Sequence, residues 1–248
     1  MPRSPDEAAP DLGLHHLVHP PSPAAQERQP PLLLLLHGVG SHEADLFTLA
    51  PMLDRRLLCL SLRAPFALAS GSYAWFEVEL SPVSPVIDAA QAEESRRRVA
   101  EFIPRAVEHY RADPERVFLL GFSQGAIISL ALCLTRPELL AGVVALSGRT
   151  LPELFTQEGP LAGRLAPPEA LKGMPILVLH GTHDPVLPIH FGRDTRERFG
   201  ALAVDLMYQE LPMAHTISPE ALVIVQRWLS DRLDRTEIQS RPRRIPPS

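Results

Sequence analysis

The sequence is poor in several features that would assign a protein quickly to a class. It has two cysteines, Cys59 and Cys133, each inside an apolar run, "LLCLSL" and "LALCL". Two thiols so placed form neither a disulfide framework nor a metal-ligand spacing. Both read as buried structural residues in a reducing cytoplasm. Lysine is nearly missing, with Lys172 the only one among 24 basic residues, and the net charge is −5. That balance excludes a strongly basic nucleic-acid footprint and favours a soluble surface. No apolar core follows the opening "MPRSPDEAAPDLG", so no signal peptide is expected. The run Leu32 to Leu36 is far shorter than the roughly 20 residues a membrane-spanning helix needs, and no stable membrane insertion is expected. There is no internal repeat and no glycine-rich linker. The 248 residues therefore read as one domain.

Proline, by contrast, crowds the ends. Seven prolines fall in the first thirty residues, and "PPSPAAQERQPP" (20–31) reads as an exposed loop between two strands. The segment from Arg235, "RTEIQSRPRRIPPS", reads as a flexible tail. Between these ends, apolar runs alternate with helical patterns. Strands are expected at "LHHLVH" and "LLLLLH", then at "LLCLSL", "RVFLLGF", "GVVALSG", "PILVLHG" and "VDLMYQEL". Most of these runs lack polar alternation, which suits a mostly parallel, doubly wound sheet with helices on both faces. A helix over 92–111 shows an apolar face at 99, 102, 103, 106, 107 and 110. Its triple arginine, 96–98, reads as a surface paired through Glu93–Arg97 and Glu94–Arg98, and Pro104 should kink or split it.

The chemistry concentrates in "LLGFSQGAIISLALCL". Gly121-Phe122-Ser123-Gln124-Gly125 follows a strand pattern and opens a helix pattern, the context a strained nucleophile turn requires. Glycines two places either side of the serine let strand and helix close on each other. A serine hydroxyl needs a base and an orienting acid. Asp184 follows the strand "PILVLHG", and His215 follows the last strand and precedes the last helix. Ser123, Asp184 and His215 thus stand in the chain order such a fold demands. The remaining histidines fit the base role less well. His15, His16 and His19 come too early, and His109 lies on a covering helix. His180 reads as a packing residue, His183 is the acid's own neighbour, and His190 falls in a helix. One oxyanion donor should be the Gln124 amide. The other should come from "HGVG" after the first long strand, with Val39 favoured over Gly38, and His37 bracing that loop.

Five stretches, "HGVGSHEADLF", "YAWFEV", "LLGFSQGAIISLAL", "LHGTHDPVLP" and "MAHTIS", together resemble the phospholipase/carboxylesterase family of α/β-hydrolases. The resemblance runs from about Leu32 to about Leu233. It implies an α/β-hydrolase fold and a Ser123–Asp184–His215 triad with Val39 and Gln124 as oxyanion donors. It also implies cofactor-free and metal-free hydrolysis of small-molecule carboxylic esters of short to medium acyl chain, through an acyl-enzyme. A lysophospholipase or acyl-protein thioesterase would use the same triad. Trp75 and Phe76 match a family pair near the active site and, with "LSPVSPVIDAAQ" (80–91), suggest an acyl pocket; core packing is the alternative for the pair. Ser41 stands where the family often has Asp, which touches loop bracing rather than chemistry. A binding module on the same scaffold is the competing class, but such modules usually lack a triad member. A homodimer is left open by the sequence.

Overall fold

Five consecutive leucines cannot alternate between core and solvent, and here they do not. Leu32–Leu36 form β2, and each is 0% exposed. Leu32, Leu34 and Leu36 enter one core cluster, while Leu33 and Leu35 enter another on the opposite face. Two covered faces require two layers of helix, and the computed structural model, which describes residues 11–26, 29–79 and 86–240, has that form.

Along the chain come β1 (His16–His19), α1 (Pro23–Gln26), β2, α2 (Ala44–Phe47), β3 (Leu58–Leu62), β4 (Phe66–Ala69), β5 (Ser72–Ala74), β6 (Val78–Glu79) and β7 (Val86–Ile87). Then follow α3 (Ala89–Tyr110), β8 (Val117–Phe122), α4 (Gln124–Thr135), β9 (Gly142–Leu146), β10 (Pro175–Gly181), α5 (His190–Gly200), β11 (Asp205–Leu211) and α6 (Pro219–Ser240). Among the described residues the main sheet has the order β1-β3-β2-β8-β9-β10-β11, parallel except for β1 against β3. Buried residues of α3, α4 and α5 join the cluster on one face. Residues of α2 and α6 join the other. Chain order reverses between β2 and β8, and the crevice over the carboxyl ends of these neighbours is where such sheets bind ligands.

All seven expected strands lie in this sheet. The short β4–β5 hairpin and the β6–β7 pair have no counterpart in the expectation. Helix α3 departs from it too. It runs without a break from 89 to 110, Pro104 included. Pro104 lies on the exposed face, where water can satisfy the carbonyl it leaves without a donor, while Phe102, Ile103 and Ala106 hold the buried face. Asp88 caps its start, its carboxylate accepting from the Ala90 and Gln91 amides at 3.0 Å. The arginine surface also differs in detail. Glu94 pairs with Arg97 and Arg98, whereas Glu93 turns to Arg96. Arg96 is only 6% exposed and also donates to Thr135 Oγ1 on α4. The loop at 20–31 holds the single turn α1 and buries Pro21, Pro30 and Pro31. Helix α6 continues to Ser240, into the segment read as tail, and 241–248 lie outside the described residues.

Candidate active site

The elbow is built by glycine at contact distance. A Cβ on Gly125 would stand 1.9 Å from the Leu36 carbonyl oxygen, and one on Gly121 would stand 2.3 Å from the Gly125 carbonyl. At Gly121 strand β8 meets the backbone of helix α4, and at Gly125 helix α4 meets the backbone at the end of β2. Only glycine leaves that room. Between them Ser123 has φ +53° and ψ −118°, a conformation that L-residues avoid. Its amide is tied back to Leu146 on β9 at 2.9 Å, which holds the strain in place.

From that turn the Ser123 hydroxyl reaches His215. Oγ and Nε2 are 2.9 Å apart, and His215 Nδ1 is 2.7 Å from Asp184 Oδ2. Asp184 is oriented by its own turn, because Oδ1 accepts from the Val186 and Leu187 amides at 2.9 and 2.8 Å. The ring of Phe122 lies 4.9 Å from that of His215. The structure thus joins the three residues expected as nucleophile, base and acid in one hydrogen-bonded chain, drawn from three different strand ends.

The loop after β2 passes beside the serine. A Cβ on Gly38 would come within 3.3 Å of Ser123 Cβ. Val39, the next residue, is exposed. His37 is fully buried and spends both ring nitrogens on backbone. Nδ1 faces the Gly38 carbonyl at 2.7 Å, and Nε2 accepts from the Ala64 amide at 3.1 Å. These partners assign a neutral, Nδ1-protonated ring. Burial also pushes its pKa below the ordinary 6.5. Gln124 opens α4, so its amide is among those a helix leaves without an internal partner. Its side chain does something the sequence reading missed: the amide oxygen accepts from Trp75 N at 3.0 Å, and the amide nitrogen donates to the Phe76 carbonyl at 2.7 Å. A polar side chain at the head of a wholly buried helix was the available signal, since a buried amide must find partners.

A profile of the phospholipase/carboxylesterase family matches residues 22–233. The chain belongs to that family. Acyl-protein thioesterase 1 of Gibberella zeae is 33% identical over 121 residues, about half the length of each chain (48% of this one, 49% of that one). Carboxylesterase SOBER1 of Arabidopsis thaliana is 31% identical over 163 residues, 64% of this chain and 68% of that one. The solved structure of esterase PE8 superposes with a TM-score of 0.73 at 25% identity, covering 88% of this chain and 98% of that one. The fold is the α/β-hydrolase fold.

Within this family frame one expectation needs correcting. Trp75 and Phe76 are not open walls of an acyl pocket; they are 0% and 1% exposed and belong to the core. The Trp75 indole N–H donates to the His37 carbonyl at 2.8 Å, and Ser95 donates to the Trp75 carbonyl. With Gln124 they fasten the segment after β5 under the site. Of the proposed pocket segment, 80–85 lie outside the described residues, Val86–Ile87 pair with β6, and Asp88 caps α3. Two exposed apolar side chains stand on loops that carry the site: Val39, next to Gly38, and Val186, on the acid's turn. Ser41 hydrogen-bonds Asp45 at 2.6 Å and pairs with Tyr73. No described helix is long and apolar enough to cross a membrane. Among the described residues no group of three or more His, Cys, Asp or Glu is arranged to hold a metal ion.

Proposed function

We propose that this protein is a serine hydrolase of carboxylic esters with Ser123, His215 and Asp184 as its triad. The observation that carries the reading is the continuous chain from Ser123 Oγ through His215 to Asp184, at 2.9 and 2.7 Å, on a serine held at positive φ. His215 Nε2 takes the hydroxyl proton as Oγ attacks the ester carbonyl. The resulting oxyanion sits against the Gln124 and Val39 amides. Collapse of this intermediate breaks the carbon–oxygen bond to the alcohol, which leaves with the proton from His215. Water then repeats the sequence on the acyl-enzyme and releases the acid. Asp184 fixes the imidazole tautomer and supports its positive charge. His37 acts on the loop's backbone, not on protons.

Short to medium acyl chains and a cytoplasmic setting belong to this reading. Burial pushes both cysteine thiols up to about 12, which makes them inert packing groups suited to a reducing compartment. The Gibberella relative, named an acyl-protein thioesterase, supports a second substrate class for the same triad. The test is hydrolysis of p-nitrophenyl butyrate by wild type and Ser123→Ala. Turnover by the first and loss of about 10⁶-fold in the second is expected. A variant that keeps the activity removes Ser123 as nucleophile. Palmitoyl-thioester turnover exceeding that of the ester selects the second class.

A further inference from the structure

Arg149 lies in the turn after β9 and is 9% exposed, yet among the described residues its guanidinium makes no hydrogen bond or ion pair. Its one named contact is the Phe191 ring, whose centroid lies 5.6 Å from the guanidinium carbon. Most of the residue is buried, but none of its guanidinium nitrogens is among the enclosed atoms left without a partner, so the charged head opens to solvent; a largely desolvated cation within reach of a ligand favours an anion. The nearest acid that acts on it is Glu153. Glu153 does not close the pair: its Oε2 is itself buried and without a partner. The two charges sense each other without forming an ion pair.

The position of Arg149 gives this cation a meaning. Leu146 pairs with Phe122 in the sheet, so the residue after β9, Ser147, stands level with Ser123 after β8. Ser147 also has positive φ, +48°, and its hydroxyl is buried without a partner. A Cβ on Gly148 would come within 2.5 Å of Ala126 Cβ, which presses this turn against the first turn of α4. Thr150 N bonds Thr195 Oγ1 on α5 at 3.1 Å, and Phe191 is the second residue of that helix. Arg149 is therefore clamped between the helix that follows the proposed nucleophile and the helix that follows the acid's turn, at the carboxyl edge of the sheet. Ligands of such sheets gather at this edge.

We propose that Arg149 is a substrate-binding residue that takes a free carboxylate, so that the esters this protein prefers are anionic ones. The inference rests on the esterase reading above. Guanidinium matches a carboxylate with two parallel hydrogen bonds. Glu153 partly offsets the field of Arg149 and repels a phosphate dianion more strongly than a carboxylate monoanion, so the smaller charge is favoured.

Two matched pairs test this: the p-nitrophenyl monoester of adipic acid against p-nitrophenyl hexanoate, and 4-(butyryloxy)benzoate against phenyl butyrate. They place the carboxylate on the acyl or the alcohol side. Wild type, Arg149→Met and Arg149→Lys are compared by kcat/KM. In one pair the wild type should favour the anionic ester, and Arg149→Met should lower kcat/KM for it about 10- to 100-fold, the range of a hydrogen bond to a charged group. The neutral partner should change less than about twofold, with Arg149→Lys in between. Equal loss on both members, or loss on neither in both pairs, overturns the proposal. If Arg149→Met does not fold, the wild type decides: its preference must exist and must shrink between 0.05 and 0.5 M NaCl. Free adipate should inhibit competitively, and inorganic phosphate inhibiting as well at equal ionic strength would overturn the carboxylate assignment. Wild type inert toward all four esters, and indistinguishable from Ser123→Ala, would instead mark failure of the esterase reading.

Discussion

Asp184 has an imidazole on each side, and the two sides differ. Toward solvent, His215 Nδ1 lies 2.7 Å from Oδ2, and its side chain keeps 16% exposure while reaching Ser123. Toward the interior, His180 Nε2 lies 3.8 Å from the same oxygen and is fully buried. Its proton goes instead to the Leu187 carbonyl at 2.7 Å. Its Nδ1 has no partner, and burial pushes its pKa below the ordinary 6.5. Residue type and proximity to a carboxylate are therefore insufficient to make a base. The ring proposed as base is the one whose other nitrogen reaches the Ser123 hydroxyl. The interior ring shapes the turn: it holds Leu187, whose amide in turn holds Asp184 Oδ1.

That contrast predicts separable losses. His215→Ala should lower kcat on p-nitrophenyl butyrate by about 10⁶-fold, as triad bases do, with little change in urea stability. His180→Leu should do the reverse. It leaves the half-buried Leu187 carbonyl without its donor, costing about 0.5–1.5 kcal/mol in urea unfolding, with activity reduced less than about tenfold. An activity loss on the scale of His215→Ala would mean that the two imidazoles share the chemistry.

A finer probe squeezes the interior ring without removing it. A Cβ on Gly192, at the start of α5, would stand 2.7 Å from His180 Cγ. The ring cannot swing away, because it is enclosed and bonded to Leu187. Gly192→Ala should therefore cost about 1–3 kcal/mol despite its better helix propensity. An unchanged or raised melting temperature would show that the ring has room, and would weaken its assignment as the rigid side of the comparison.

How far the sequence anticipated these two rings follows from what each role demands. The elbow was legible because a Cβ on Gly125 or Gly121 would fall 1.9 or 2.3 Å from neighbouring backbone, so the constraint is written in residue identity. The place of His215 beside Ser123 and Asp184 was legible from order along the chain. The inner strands of the main sheet were legible because burial on both faces writes nearly unbroken apolar runs, while the edge strands β1 and β11 are only partly buried. What stayed hidden depends on partners far apart in sequence. Gln124 braces Trp75 and Phe76 nearly fifty positions away, and that network turns two aromatic residues from pocket candidates into core. Arg149 looks ordinary in "LSGRTLP" until burial and the absence of a partner are seen together. Pro104 misled because the face it occupies, not its presence, decides whether a helix tolerates it.

The smallest effect is also the most diagnostic of the interior side. His16, His37 and His180 are all buried, and burial holds each below its ordinary pKa of 6.5. Each is therefore neutral in the fold at pH values where the unfolded chain would already bind a proton. Below pH 6.5 the unfolded state takes up more protons, so stability should be fully present above 6.5 and decline as pH falls through the folded values. Glu43 acts in a lower window. The Arg63 hydrogen bond holds it at about 2, so its contribution is present above its ordinary 4.5 and lost as pH falls toward 2. Melting temperature measured from pH 7.5 to 2.5 should thus fall in two steps. His180→Leu should shrink the upper step and leave the lower one, while Glu43→Gln should do the opposite. A melting temperature that stays flat between pH 7.5 and 5 would mean that the buried rings accept protons without cost, and the interior side of Asp184 would lose its claim to be rigid and neutral.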